Sequence, residues 1–178
     1  ALHLYESGEE ENLLKALDYY KKAVARAPAF ALAHVGLAET QVYLAAQYVY
    51  PPRESFERAS ESLDRALRID PDLAEAHAVM ASVLKVCDWN WDDAEREYKR
   101  ALELNPSYAT AHHWYADFLS ALGRSEEALR EIHLAQQLDP LSLLIGVELA
   151  WNSYMARDYL RSIEHAWRTA EMEPGFSG

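Results

Sequence analysis

The sequence predicts an all-α fold built from repeated helix–turn–helix units. Three observations carry this. Half of the 178 residues are hydrophobic, Ala and Leu are abundant, Gly is scarce, and no segment alternates apolar and polar residues as a half-buried strand does. Prolines that follow a helical pattern recur at Pro28, Pro71, Pro106, Pro140 and Pro174, at intervals of 43, 35, 34 and 34 residues. Aligned on those prolines, small residues fall into register. One column reads Ala23, Ala66, Ala101, Ala135, Thr169, and another reads Ala16, Ala59, Ala94, Ala128, Ser162. Between them lie Tyr20, Leu63, Tyr98 and Ile132, with Ala166 breaking the trend. Small residues at both ends of an i, i+4, i+7 stripe, with bulk in the middle, describe a helix packed tightly on one face.

The unit is plainest over Ala109–Pro140, where two amphipathic helices flank a Gly-Arg-Ser turn. Pro140 lacks an N–H and disfavours the helical state of Asp139, so the second helix ends there. The helix that opens each unit has its own stripe: His34, His77, His112, Gly146, then Leu37, Met80, Tyr115, Leu149, then Ala38, Ala81, Ala116, Ala150. In order, an incomplete first unit covers about 1–30: Leu2–Ser7 is the tail of a helix, Gly8–Asn12 an acidic loop, and Leu13–Arg26 the second helix. The second unit, 31–73, carries nine extra residues near Ala45–Arg53, where Pro51-Pro52 rules out continuous helix. Tyr48 and Tyr50 make that insertion apolar, and it is expected to be ordered. The third unit, 74–108, has one extra residue near Cys87–Trp89. The fourth is 109–142 and the fifth 143–174, and together they are expected to form a single array.

With these columns, the chain resembles the tetratricopeptide repeat (TPR) family, whose period is about 34 residues. The resemblance implies a right-handed α-solenoid that binds a peptide or protein in a concave groove. A narrower resemblance rests on Pro-Pro-Arg-Glu, Asp88-Trp89-Asn90-Trp91 and the run Tyr108–Ala116. In this order they look like the C-terminal TPR regions of large bacterial regulatory proteins, which follow winged-helix, cyclase or kinase domains, often through a TolB-like segment. The missing Met at Ala1 fits a segment of such a longer chain.

Composition limits the function. A net charge of −12 opposes nucleic-acid binding, which needs clustered Lys and Arg, and weakens any case for an anionic membrane surface. No apolar run is long enough to span a bilayer and no signal peptide opens the chain, so a soluble protein is expected, with the cytoplasm favoured. Cys87 is the single cysteine and lies in an apolar run, which suits a small core residue.

No metal, cofactor or catalytic constellation is expected. His34, His77 and His112 share a column in successive units, so they lie about 10 Å or more apart. Zinc ligands must lie about 2 Å from one centre. His113 and Asp117, at i and i+4, are too few for a metal site. Trp91 shares an intra-repeat packing column with Leu13, Phe56, Ser125 and Tyr159, and Trp89 is expected to pack.

The groove implied by the resemblance is lined by Leu32, Val35, Glu39 and Val42, then Glu75, Ala78, Ser82 and Lys85. It continues with Thr110, His113, Asp117 and Ser120, then Leu144, Val147, Trp151 and Tyr154. The Lys and Asn clamp by which TPR co-chaperones grip a C-terminal carboxylate is absent. Trp114, Trp151 and Tyr154 weight binding toward the last two units. The expected function is a non-enzymatic interaction scaffold. The alternative is an effector-sensing input domain, with the groove or the Tyr-rich insertion as its sensor. The last helix carries Ile163, Ala166, Trp167 and Ala170 on one stripe, and nothing long enough follows Pro174 to cover it. Weak self-association through that edge is therefore expected.

Overall fold

A computed structural model of the chain describes residues 10–46 and 49–172. Among them are nine α-helices, one π-helix and no strand. The chain divides into two compact units, Ala1–Leu104 and Asn105–Gly178. The first holds α1 (Glu10–Arg26), α2 (Ala31–Ala46), α3 (Pro52–Ile69), α4 (Ala74–Val83), the π-helix Leu84–Asp88 and α5 (Trp91–Leu104). The second holds α6 (Ala109–Ala121), α7 (Ser125–Leu138), α8 (Leu143–Met155) and α9 (Tyr159–Met172). Helices pair as α2 with α3, α4 with α5, α6 with α7 and α8 with α9.

The columns read from the sequence are the packing surfaces. Ala59, Leu63 and Ala66 on α3, Ala94, Tyr98 and Ala101 on α5, and Ala128, Ile132 and Ala135 on α7 are all fully buried. Alanine lets the backbones approach closely, and the larger residue fills the space between the two contact points. These second helices bury one stripe and solvate the rest. The first helices α2, α4, α6 and α8 bury residues on most sides. In the second unit, Ala116, Ile132, Ala135, Ile145 and Leu149 form one cluster.

The irregular stretches depart from expectation in instructive ways. Glu10–Asn12 lie within α1, so they are helical rather than loop. The expected helical tail at Leu2–Ser7, and Gly8 with it, lie outside the described residues. The insertion is largely absorbed by longer helices. Ala45 and Ala46 end α2, while Pro52 and Arg53 begin α3, with a proline in its first turn where no N–H is needed. Tyr48 lies outside the described residues. Val49 donates its N–H to the Leu44 carbonyl and packs on Leu13, Leu17 and Leu44. The single extra residue of the third repeat is taken up by the π-helix, the form in which one surplus residue enters a helix without breaking it. Trp89 closes it at φ 49°.

The α6–α7 and α8–α9 turns share a geometry. Gly123 (φ 74°) donates to the Ser120 carbonyl, and the next residue, Arg124, donates to Leu119. Arg157 (φ 63°) donates to Tyr154, and Asp158 to Ser153. Glycine adopts this left-handed backbone freely; arginine at the equivalent place carries the strain of its Cβ. Among the described residues, no helix is long and apolar enough to cross a membrane.

Candidate functional site

The repeated histidines have a structural job. His77 Nε2 donates to the Pro71 carbonyl at 3.0 Å, and its Nδ1 lies 2.5 Å from Glu97 Oε2. His112 repeats this with Pro106 at 3.0 Å and Glu131 at 2.6 Å. His34 makes the first half of the arrangement, to the Pro28 carbonyl at 2.9 Å. Each ring ties the start of a repeat to the turn before it, and in two repeats also to its own second helix. No group of three or more potential metal ligands occurs among the described residues.

Both nitrogens of His77 and His112 face acceptors, which favours the imidazolium. The Glu97 bond raises the His77 pKa against an opposing effect of burial. For His112, burial pulls the pKa down, and the Glu131 and Pro106 bonds outweigh it, leaving a net rise. A raised folded-state pKa contributes stability that is complete below the unfolded value of about 6.5 and is lost as pH climbs through the folded value. His133 and His165 are pushed down, first by burial, so they act in the opposite sense. The expected result is therefore a difference. Between pH 6 and 8.5 the urea midpoint of the wild type should fall relative to that of a His77→Gln/His112→Gln variant. Parallel profiles would remove the ion pairs from the account.

The residues expected to line a groove differ widely in exposure. In the first unit, Leu32 is exposed, Glu39, Glu75 and Lys85 are half-buried, and Val35 and Ala78 are buried. Burial pushes the Glu39 carboxyl up. In the second unit His113 and Ser120 are buried, whereas Trp114 and Asp117 are half-buried. Lys85, His113 and Asp117 each already have an interaction partner in the chain. Ser82 hydrogen-bonds Tyr98 Oη at 3.0 Å.

Trp151 and Tyr154 stand apart from these. They are 50% and 52% exposed, with rings 5.8 Å apart and 26° from parallel. Tyr159, from the start of α9, continues the row at 5.6 Å from Tyr154 and is itself 54% exposed. The α8–α9 turn brings the three rings together in an aromatic ladder, with Tyr159 tilted 58° from the Tyr154 ring. Its neighbour Met155 is also exposed. Tyr159 was assigned to packing by its column. Leu13 and Phe56 in that column are buried, whereas Tyr159 is exposed and its ring lies against Tyr154. Trp89 also departs from expectation. It is 73% exposed and touches the Trp91 ring edge-to-face at 6.0 Å, because the left-handed backbone at its position lifts it out of the helical stripe.

Two cavities accompany these surfaces. One, about 490 Å³ in the first unit, is lined by Pro52, Arg53, Phe56, Glu57, Ser60, Val86 and Cys87. Cys87 is thus half-buried at a cavity wall rather than sealed in the core. The other, about 240 Å³, lies in the second unit between α7, α8 and α9.

Successive helix–turn–helix units closed by proline, small–large–small contact columns and aromatic rings left open on α8 and α9 define a helical-repeat protein. The comparisons agree. A family model for the tetratricopeptide repeat (TPR_17) matches residues 97–130. Residues 97–130 thus match one tetratricopeptide repeat, and the fold is the α-solenoid of tetratricopeptide-repeat proteins. The chain is 35% identical over 88 residues to the type IV pilus assembly protein PilF of Pseudomonas aeruginosa, across 49% of this chain and 34% of that protein. It thus spans about a third of that relative's length. Among solved structures, the thermophilic TPR protein TTC0263 of Thermus thermophilus superposes with a TM-score of 0.66 at 28% identity, over 80% of this chain and 76% of that one. YrrB, described as a TPR protein with an unusual peptide-binding site, gives 0.60 at 21% identity, over 93% and 80% of the two chains, and shows the fold alone.

Proposed function

We propose that this chain is a protein-interaction scaffold without catalysis of its own, forming one part of a larger bacterial regulatory protein. It takes a peptide or partner segment on the Trp151–Tyr154–Tyr159 ladder. The observation that carries this reading is the ladder itself: three rings, each about half exposed, with Trp151 and Tyr154 stacked and Tyr159 tilted 58° against Tyr154. Pre-stacked rings offer a large amphipathic surface at little entropic cost, which is why Tyr and Trp dominate binding hot spots. His113, Trp114 and Asp117 on α6 serve as supporting positions within the second unit, and Glu39, Glu75 and Lys85 are groove positions of the first unit taken by itself. The named role of PilF in assembly and the described peptide site of YrrB support an interaction role here. The test is a peptide-display selection against the immobilised chain, counter-selected with a Trp151→Ala/Tyr154→Ala variant. Ladder-dependent binders are expected. Selected peptides that bind both chains equally would contradict the assignment.

The exposed stripe of α9 supports one further contact. Leu160, Ile163 and Trp167 are 83%, 56% and 69% exposed on consecutive turns. Covering a tryptophan removes about 200 Å² from water, worth a few kcal/mol at about 25 cal/mol per Å² before association costs. Light scattering over roughly micromolar to millimolar protein, the range of such contacts, should show weak self-association that Trp167→Glu abolishes. A strict monomer throughout would rule it out.

A further inference from the structure

The second-unit cavity lies where other repeats keep an imidazole. His77 and His112 each reach back six residues to a proline carbonyl, and each meets a glutamate, Glu97 or Glu131, nine residues before the closing proline. In the last repeat Gly146 stands in the histidine column, and His165 stands in the glutamate column. Pro140 keeps its place six residues upstream. What remains is the cavity of about 240 Å³ lined by Pro140, Gly146, His165 and Arg168, among others. The Nδ1 of His165 is buried and has no hydrogen-bond partner. The chain cannot refill the space from position 146, because a Cβ there would lie 2.4 Å from Thr169 Oγ1.

We propose that this cavity is a binding site for an imidazole supplied from outside, the side chain of a histidine in a bound peptide. A neutral imidazole has one ring N–H and one acceptor nitrogen. The N–H suits the Pro140 carbonyl, as the His112 ring suits that of Pro106. The acceptor nitrogen suits the Arg168 guanidinium, which also lines the cavity. A bare anion is disfavoured, since Glu171 also lines the cavity and would repel it. Only the peptide source rests on the scaffold reading; the chemistry of the cavity stands without it.

The test is a titration followed by NMR at the Gly146 amide and the His165 ring, at pH 8, where free imidazole is neutral. Probes are imidazole, acetamide, acetate and the tripeptide Gly-His-Gly. Imidazole should saturate both signals at roughly millimolar concentration, as fits so small a ligand, and Gly-His-Gly should bind at least as tightly. Arg168→Met, which keeps the aliphatic stem, should weaken both by tenfold or more with unchanged circular dichroism. Absence of saturation with imidazole would overturn the proposal, as would equal or tighter binding of acetate or acetamide. Imidazole binding with exclusion of Gly-His-Gly would overturn the peptide source. These readouts do not involve the aromatic ladder, so failure here and failure of the scaffold reading are distinguishable.

Discussion

Replacing Trp151 and Tyr154 together by alanine is expected to weaken capture of ladder-dependent peptides about 100-fold or more, while leaving helicity and the urea midpoint nearly unchanged. The argument is one of exposure. Both rings are half solvated in the free protein, so truncating them opens no internal cavity, and the large penalty of core deletion does not apply. In a complex the same rings are desolvated, and truncating one central aromatic anchor typically costs 2 kcal/mol or more. Two such losses exceed a hundredfold even when they are less than additive, since each 1.4 kcal/mol is tenfold. Tyr159→Ala should show the same separation at smaller amplitude, because it sits at the end of the row. If binding and stability collapse together, the rings are structural and the ladder is not a docking surface.

A large effect on stability is expected from a single methyl group. Gly146→Ala should destabilise the protein by about 1–3 kcal/mol, the usual cost of overpacking. The added carbon would meet Thr169 Oγ1 at 2.4 Å and Cγ2 at 3.0 Å. Thr169 is buried, its hydroxyl donates to the His165 carbonyl, and its short side chain leaves the backbone of α9 little room to yield. In the two preceding repeats the same two columns hold His77 with Ala101 and His112 with Ala135. Glycine against threonine is therefore a compensated exchange of histidine against alanine. Thr169→Ala should rescue most of the loss in Gly146→Ala, giving a coupling that a double-mutant cycle reads directly. Independent, additive costs would mean that α8 and α9 do not approach at these two residues.

How much of this could be read from the sequence depends on the range of the physics involved. The alanine columns were legible because close helix approach demands small residues at a fixed spacing, and that demand is written locally. The histidine column was legible as structural for the same reason. The exchange at Gly146 and Thr169 was visible only as two departures from trend, since its logic lies in a contact between helices. The third repeat announced one surplus residue but not its form. A π-turn and a longer loop accommodate it equally on paper; here the helix continues to Asp88 before Trp89 turns left-handed. Tyr159 departs from its column because a repeat column predicts burial only where a neighbouring helix supplies cover, and α9 leaves Leu160, Ile163 and Trp167 exposed as well. The burial of Val35, Ala78 and His113 depends on how closely each first helix is flanked, which sequence spacing alone does not state.

The most direct measurement is hydrogen–deuterium exchange of the chain with and without a display-selected peptide. The account predicts slowed exchange across the C-terminal half of α8 and the first turn of α9, around Trp151, Tyr154 and Tyr159, with α1 to α3 unchanged. Protection confined to the first unit, or a bound peptide that leaves residues 151–160 unaffected, would contradict it.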